Sequence, residues 1–557
     1  MSNNIAARIW SQQQVGYVEQ TSVDGDAMSR VSFGVTSSAG ASNGTTLIDV
    51  NNISGASKTY NGRYWVRILS GTNQGQRKRI VSDDGAGTLT LEGNGFPNQV
   101  AISVNYEIWK SPEPVIVVGT SSGATNIVDA HRTDTDSASN SPWVGYYACA
   151  ISGTQRGLFA KITGCVPGTG TFTVGSGFSG ALTAGDVLVL RKFIEARSLK
   201  CAPTETYEAK PPNRINFSLG DGITGVRGGQ VDFSTYITPS GTLAATGTVA
   251  NPSVLSGLFK ACGLPETIDL SGTVDTGSTT TAIKITAGEI TNFHVGQAIQ
   301  YNGNVTFITA MTAGGGSADT LTVSPALPAA PIAATTVYAC RGYTKSTSGD
   351  YYGATIEAEI DGIRHIMTGC KGNVSGADAA VPNLNFVLMV DDWSREYEPT
   401  PFIVGSAYTT TAPVMSSAKA AYASGTGIDI GGFTFTAGVK TVPKNVQGSK
   451  GINGRVGYHL SDYACGGTFK EIIASDDKLT ADQRWLVRTA RDIAVVMGSG
   501  GSCCAIRMPV CKQIGEPTPT DAGGLVEAPN VLQAQDAGTA SNGTTQVKVP
   551  DFGIFLF

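Results

Sequence analysis

The sequence predicts a mainly β protein built from several small modules, and three observations carry that expectation. Glycine accounts for 70 of 557 residues, about 13% against a usual ~7%, while charged residues are 15% against a usual ~25%. The glycines separate short runs that alternate apolar and polar side chains, such as Tyr64-Trp65-Val66-Arg67-Ile68-Leu69, the period of a half-buried strand. An arrangement of strands and turns also recurs in tandem at an offset of about 80 residues. The 41% hydrophobic content excludes a disordered chain, and the length allows three or four domains at about 150 residues each.

Residues 1–36 form an N-terminal segment that either belongs to the main body or precedes it. The repeat follows. Thr45-Thr46-Leu47-Ile48-Asp49 is echoed by Thr125-Asn126-Ile127-Val128-Asp129, and Ser70-Gly71-Thr72 by Ser152-Gly153-Thr154. Gly87-Thr88-Leu89-Thr90-Leu91 returns as Gly170-Thr171-Phe172-Thr173-Val174, and Gly95-Phe96 as Gly177-Phe178. The matches keep their order, so two tandem β-domains are expected at 37–112 and 113–193. A weaker copy at 271–341 contains Thr281-Ala282-Ile283-Lys284-Ile285 and Thr320-Leu321-Thr322-Val323. It reads equally as a third module or as the echo that any Gly/Thr-rich β-domain produces.

The remaining stretches, 194–270 and 342–557, form the body and hold the two expected helices. The first runs from Asn251 as cap and Pro252 in the first turn, through apolar Val254, Leu255, Leu258 and Phe259, to Gly263 as its stop. The second starts with a capping box at Thr480 and Gln483. Trp485, Leu486, Thr489, Ala490 and Ile493 are its expected apolar stripe, and Arg484, Arg488 and Arg491 its polar face, either solvated or paired at a subunit interface. Between them, Asp361-Gly362 predicts a tight hairpin joining 355–360 to 363–366. Buried strands follow at 383–390, 428–435 and 505–508. The terminal run Phe552-Gly553-Ile554-Phe555-Leu556-Phe557 must be covered by a sheet or a neighbouring subunit.

The charge and the motifs argue against most chemistry. A net charge of -5 supplies no field for gathering phosphate backbones, and the apolar runs are too short to span a bilayer. Met1-Ser2-Asn3-Asn4 lacks the basic and apolar parts of an export signal, so the ten cysteines are expected as reduced thiols. Cys503 and Cys504 should then point to opposite faces of a strand. The four histidines, His131, His294, His365 and His459, stand at no metal-ligand spacing. Gly220-Asp221-Gly222-Ile223-Thr224-Gly225 matches a dinucleotide loop formally, but no helix follows it, and it reads as a loop between strands. Asp134-Thr135-Asp136 begins like a calcium loop, yet has Ser139 and Gly145 where Gly and Glu are needed. Arg77-Lys78-Arg79 is the one basic cluster, split across two faces by strand alternation. No catalytic, cofactor-binding or metal-binding residue is assigned, and no enzyme activity is expected.

The body resembles the major tail tube protein of long, non-contractile tailed bacteriophages, through an ordered series of segments. Asn216-Phe217-Ser218-Leu219 precedes a Gly-rich stretch and Gly228-Gly229-Gln230-Val231-Asp232-Phe233. The first helix, ending L-F-K-A-C-G-L, comes next. The Asp361-Gly362 hairpin, Thr368-Gly369-Cys370-Lys371-Gly372 and Pro382-Asn383-Leu384-Asn385-Phe386 follow. Ala412-Pro413, a long loop through Lys440 to Gly454, the second helix and the apolar terminus close the series. The resemblance covers roughly half of the chain and implies a tail-tube-type β-sandwich with a flanking helix. The two tandem domains and the inserted one would be outward decorations. It further implies hexameric rings stacked head-to-tail around a tape-measure protein, with tail terminator and distal tail proteins at the ends. DNA would pass through the lumen at ejection without specific binding. The implied location is the virion, after synthesis in the host cytoplasm, with no membrane partner. Loops 399–425 and 437–455 are the expected stacking contacts, ordering on assembly. One rival reading is a receptor-binding fibre or baseplate component, marked by trimers or carbohydrate binding. The other is a glycan-active enzyme, for which Asp391-Asp392 beside Trp393 would be the paired carboxylates.

Overall fold

A computed structural model describes residues 14–20, 28–55, 60–119, 123–129, 143–166, 169–175, 178–210, 220–248, 253–345, 353–360, 363–378, 381–397, 420–445, 455–473, 478–517, 519–521 and 526–557. Strands make up 57% of the chain and helix 4%, so the protein is mainly β.

The body is organised around one long strand, Ile363–Ala377, that serves two sheets. Its first half pairs with Ala354–Ile360 and Asp392–Tyr397, and its second half with Asn383–Val390 and Ile430–Thr436. The changeover falls in the Thr368-Gly369-Cys370 stretch, where Gly369 takes a φ of +64°, a conformation costly for any residue with a Cβ. Ile360 pairs directly with Ile363, the spacing of a two-residue hairpin. The turn residues Asp361 and Gly362 themselves lie outside the described residues. From Asn383–Val390 pairing continues to Gly220–Tyr236 and then Arg197–Lys210. On the other side, Ile430–Thr436 leads through Gly466–Ile473 and Val526–Ala534 to Ser502–Gln513.

Alternation decides what faces the core. Leu384, Phe386, Leu388 and Val390 are buried while Asn385 and Val387 are exposed. They share one core with Phe433, Phe435, Val495, Met497 and Ile506. The helix Ser256–Ala261 seals this core with Leu258 and Phe259, the Phe259 ring lying 4.6 Å from that of Tyr343. Gly263 ends it at a φ of +71°, as the sequence predicts. Asn251 and Pro252 lie outside the described residues, and Leu255 stands at the cap position without a side-chain bond. The terminal strand Gly553–Leu556 lies between Arg341–Thr344 and Ser502–Gln513, so its apolar side chains are covered within the chain.

Three smaller sheets share one strand order. The first runs Ser29–Val35, Asn105–Lys110, Tyr64–Ile68, Arg77–Asp83, Thr88–Leu91, Thr46–Ile48. The second has the same order in Val115–Val117, Val187–Glu195, Tyr147–Ala150, Phe159–Val166, Thr171–Val174 and Asn126–Val128. The third repeats it in Gly272–Thr273, Thr336–Ala339, Ala298–Tyr301, Asn304–Thr312, Asp319–Ser324 and Ala282–Ile285. The third also gains Thr539–Gly543, paired parallel to Asn304–Thr312, and Gln546–Lys548. The first sheet takes in Ser29–Val35, so its opening strand begins before residue 37. The strand Gln14–Glu19 pairs with both Val187–Glu195 and Ala354–Ile360, joining the second sheet to the body.

Two expected elements differ. The second helix spans Lys478–Val487, so Thr480 lies inside it rather than capping it. Ile493 falls in the strand Arg491–Ser499. Arg488, at a φ of +51°, turns the chain between them. The stretch from Lys440 to Gly454 is not simply a loop, because Val439–Asn445 pairs with Arg455–Tyr463. The part at 446–454, like 398–419, lies outside the described residues.

Candidate functional site

The densest concentration of chemistry lies where the first two small sheets meet the body. Glu357 of the body receives the Arg191 guanidinium, Nη2 to Oε2 at 2.6 Å, and Arg191 approaches Glu113 Oε1 at 2.5 Å. Glu113 also pairs with Arg79, whose Nε lies 3.2 Å from Glu92 Oε2. Arg364, back in the body, closes the arc at 2.5 Å from Glu92 Oε1. Three arginines and three glutamates thus alternate through both sheets and return to the strand beside the one they left. Apart from Glu357, at 12%, every side chain in the arc is at most 3% exposed. Arg79 gives a further bond to the Gly62 carbonyl at 2.9 Å. The Arg191–Glu113 contact is an ion pair without hydrogen-bond alignment at Oε1.

Burial alone would push these carboxyls up, but the arginines outweigh it. Arg191 and Arg79 hold Glu113 at about 2, and Arg364 and Arg79 hold Glu92 below its ordinary range. The arc therefore stays charged. Its desolvation offsets much of its Coulomb energy, so its effect lies more in fixing orientation than in net stability. Strand alternation splits the basic cluster as expected: Arg77 and Arg79 both lie over the Trp65 ring, at 5.2 and 4.8 Å. Arg77 pairs with Asp392 of the body.

That pair bears on the enzyme reading. Asp392 is held by Arg77, and Asp391 by Arg455, Nε to Oδ1 at 2.7 Å, both carboxylates being nearly buried. Each is engaged by an arginine from a different element, instead of the two facing each other across a cleft as glycoside hydrolysis needs. Trp393 donates from Nε1 to His365 Nδ1 at 3.1 Å. Burial, with Arg395 adding to it, lowers His365 to about 4. His294 pairs with Asp269, and His459 lies in Arg455–Tyr463. His131 and the Asp134–Asp136 stretch are outside the described residues.

Gly220 to Gly225 belong to the 17-residue strand Gly220–Tyr236, not to a loop. Pairing to Arg197–Lys210 supplies the order that a glycine-rich sequence does not predict by itself. The far end of this hairpin is unusual. Gly229–Tyr236 has a partner on each side, but beyond the Gly229–Val390 pair the strand is paired only to its own hairpin partner among the described residues. Nine residues, 220–228, are therefore paired on one side alone, a two-stranded stretch of about 30 Å at 3.3 Å per residue whose base lies against Arg455 and Trp393.

The second helix corrects another expectation. Arg484 and Arg491 converge on Glu471, at 3.2 and 3.0 Å, within the same chain. Arg484 thus ties the helix to the body, Arg491 belonging to the strand that follows and Arg488 being exposed, while Leu486 and Val487 are 69% and 75% exposed. Thr489 and Ala490, also expected in the apolar stripe, are exposed too. Cys503 packs with Phe555 and Phe557, and Cys504 with Met497 and Ile506, on opposite strand faces. Burial raises both thiols. Among the described residues, no group of three or more His, Cys, Asp or Glu could hold a metal ion, and no helix is long and apolar enough to cross a membrane.

Sequence reasoning missed the arc because its members read as ordinary strand charges. Arg79 obeys the alternation as a polar residue on the face opposite Ile80, so the local pattern carries no signal of its burial. No protein-family model matches this chain, and no curated protein matches it.

Proposed function

We propose that this chain is the structural subunit of a phage tail tube. Six copies form a ring, rings stack head-to-tail, and the bore is the conduit for DNA at ejection into the host. A tape-measure protein fills the lumen before ejection, and terminator and distal tail proteins close the ends. The small sheets decorate the outside.

The observation that carries this reading is the far end of the long hairpin, paired on one side alone. An isolated two-stranded ribbon is marginal in water, and its outer edges are open templates for pairing. A two-stranded stretch about 30 Å long with no further sheet neighbour among the described residues is stabilised by meeting a neighbouring copy. Pairing around a closed ring removes the edges. Leu486 and Val487, exposed on the helix, supply apolar surface for the same assembly. A net charge of -5 per chain gives six times -5, about -30 per ring, and favours passage of DNA over its capture.

Negative-stain electron microscopy of the purified chain, from dilute to concentrated, tests the reading. Six-fold rings or hollow tubes with external knobs are expected. Trimers, or tubes in which the hairpin contacts no neighbouring subunit, overturn it.

A further inference from the structure

A cleft of about 380 Å³ opens between the third small sheet and the C-terminal ribbon. Its polar centre is His294, whose ring is held from behind. Nδ1 lies 2.6 Å from Oδ1 of Asp269, a carboxylate with no exposed side-chain surface. A carboxylate accepts, so Nδ1 carries a proton and Nε2 is left for the cleft. Oδ2 of Asp269 has no hydrogen-bond partner among the described residues. Because a buried anion with so few partners is costly, it favours a charged imidazolium over a neutral ring. The hydrogen bond from Asp269 accordingly raises His294 above its ordinary value, against the opposing effect of burial.

A second cation stands on the opposite wall. Lys548, on the strand Gln546–Lys548, lines the same cleft. Its ion pair with Asp536 spans 3.4 Å between groups that are 51% and 69% exposed, a kind of contact worth little and readily exchanged. Two further acids adjoin Ile290 and both are occupied: Glu289 accepts the Thr273 backbone N–H at 2.7 Å, and Asp319 accepts those of Gly288 and Ile290 at 2.8 and 3.2 Å. Between the cations the lining is mixed. Ile290 and Val547 offer partly covered apolar surface, while Thr267 and Thr544 offer hydroxyl groups. Asn542 spends its Oδ1 on the Thr544 and Thr545 N–H groups, closing the ribbon turn and fixing that wall.

Two cations lining a small cleft select one carboxylate, once Lys548 exchanges its exposed Asp536 partner for it, while neutral hydroxyl groups beside an apolar wall suit a polyhydroxylated ring with C–H faces. We propose that this cleft binds an acidic saccharide unit, its carboxylate between His294 and Lys548 and its ring against Ile290 and Val547. The cleft belongs to the added sheet and not to the body. Its occupancy and the assembly of the body are therefore separate questions with separate assays.

The test is calorimetric or saturation-transfer titration of the full chain with D-glucuronate, N-acetylneuraminate, D-glucose and acetate. Either acidic sugar should bind with a Kd of about 1 mM or tighter, and glucose and acetate at least about tenfold more weakly. Lys548→Gln and His294→Gln should each weaken acidic-sugar binding about tenfold, while Lys440→Gln, an exposed lysine elsewhere, should change nothing. Lys548 is half exposed, so its replacement leaves the fold intact. Equal affinity for glucose and glucuronate, equal affinity for acetate, insensitivity to both cleft variants, or no binding at about 10 mM each overturn the proposal.

Discussion

Replacing Glu113 by Gln removes the charge at the centre of the arc while keeping its shape. Glu113 lies between Arg79 and Arg191 with no exposed side-chain surface, and its carboxyl is moved from the ordinary 4.5 to about 2. That difference corresponds to roughly 3 kcal/mol of preference for the charged form. It falls within the about 3–5 kcal/mol typical of removing one member of a buried pair. In a chain of several modules a single unfolding free energy is ill-defined, so the readout is local. Amide hydrogen exchange across Arg77–Asp83 and Val187–Glu195 should accelerate by about a hundredfold in Glu113→Gln, with the body strand Asn383–Val390 unchanged. Because the folded carboxyl is depressed, its contribution is complete above about 4.5 and lost as pH falls toward about 2. Wild-type protection should decline through that window, and the Gln variant should show less of that decline. Acceleration below about fivefold, equivalent to less than ~1 kcal/mol, refutes the assignment of the arc as what orients the modules.

Phe555→Ala should cost about 3–5 kcal/mol locally, read as faster amide exchange in Ser502–Gln513, the strand that pairs with it. The ring is 1% exposed and lies edge-to-face on Phe307 at 5.7 Å; unchanged exchange there contradicts its burial. Histidine NMR titration should find His365 near 4 and His294 above 6.5. With His365 depressed, stability is lost as pH falls from about 6.5 through about 4; titration of both rings at the ordinary value rules out the two environments. Replacing residues 204–228 with an Asn-Gly turn retains every pair between Gly229–Tyr236 and Asn383–Val390. It should leave a folded chain by circular dichroism that forms no rings at concentrations where the intact chain does. Normal rings from this variant refute the role given to the hairpin.

What the sequence disclosed follows how local each determinant is. The Asp361-Gly362 hairpin, the strand Asn383–Val390 and the stop at Gly263 depend on neighbours a few residues away, and their pattern was sufficient. The arc depends on partners 34 residues apart for Arg79 and Glu113, and 272 apart for Glu92 and Arg364. Nothing in either local sequence marks the other. Lys478–Val487 failed differently. Its apolar spacing suggested the buried side, but the strong anchor is Glu471, which lies outside the helix and draws Arg484 inward. In Gly220–Tyr236, glycine content favoured a loop, and long cross-strand pairing overrode it.

One six-strand arrangement is fixed to the body in two physically different ways. The first sheet meets the body mainly through charge, in Arg79, Glu92 and Arg364 with Arg77 on Asp392, beside a small apolar contact of Trp65 and Trp109 with Ile366. The second adds backbone pairing through Gln14–Glu19 to its Glu113–Arg191–Glu357 pairs. The third meets the body through an apolar cluster in which Ala298, Val305 and Phe307 pack on Ala494, Cys503 and Phe555. Its last strand also leads almost directly into Arg341–Thr344, which is paired with the terminal strand. Protonation can dismantle the first kind of attachment and does not touch the second. Limited proteolysis between pH 4.5 and 2, bracketing the ordinary and the held positions of Glu113, should therefore release the first sheet first, while the second, backbone-paired through Gln14–Glu19, and the third stay on the body. Simultaneous release of all three would mean that the apolar cluster does not act independently of the charges. An order reversed, with the third sheet freed first, would mean that the arc is not what holds the first.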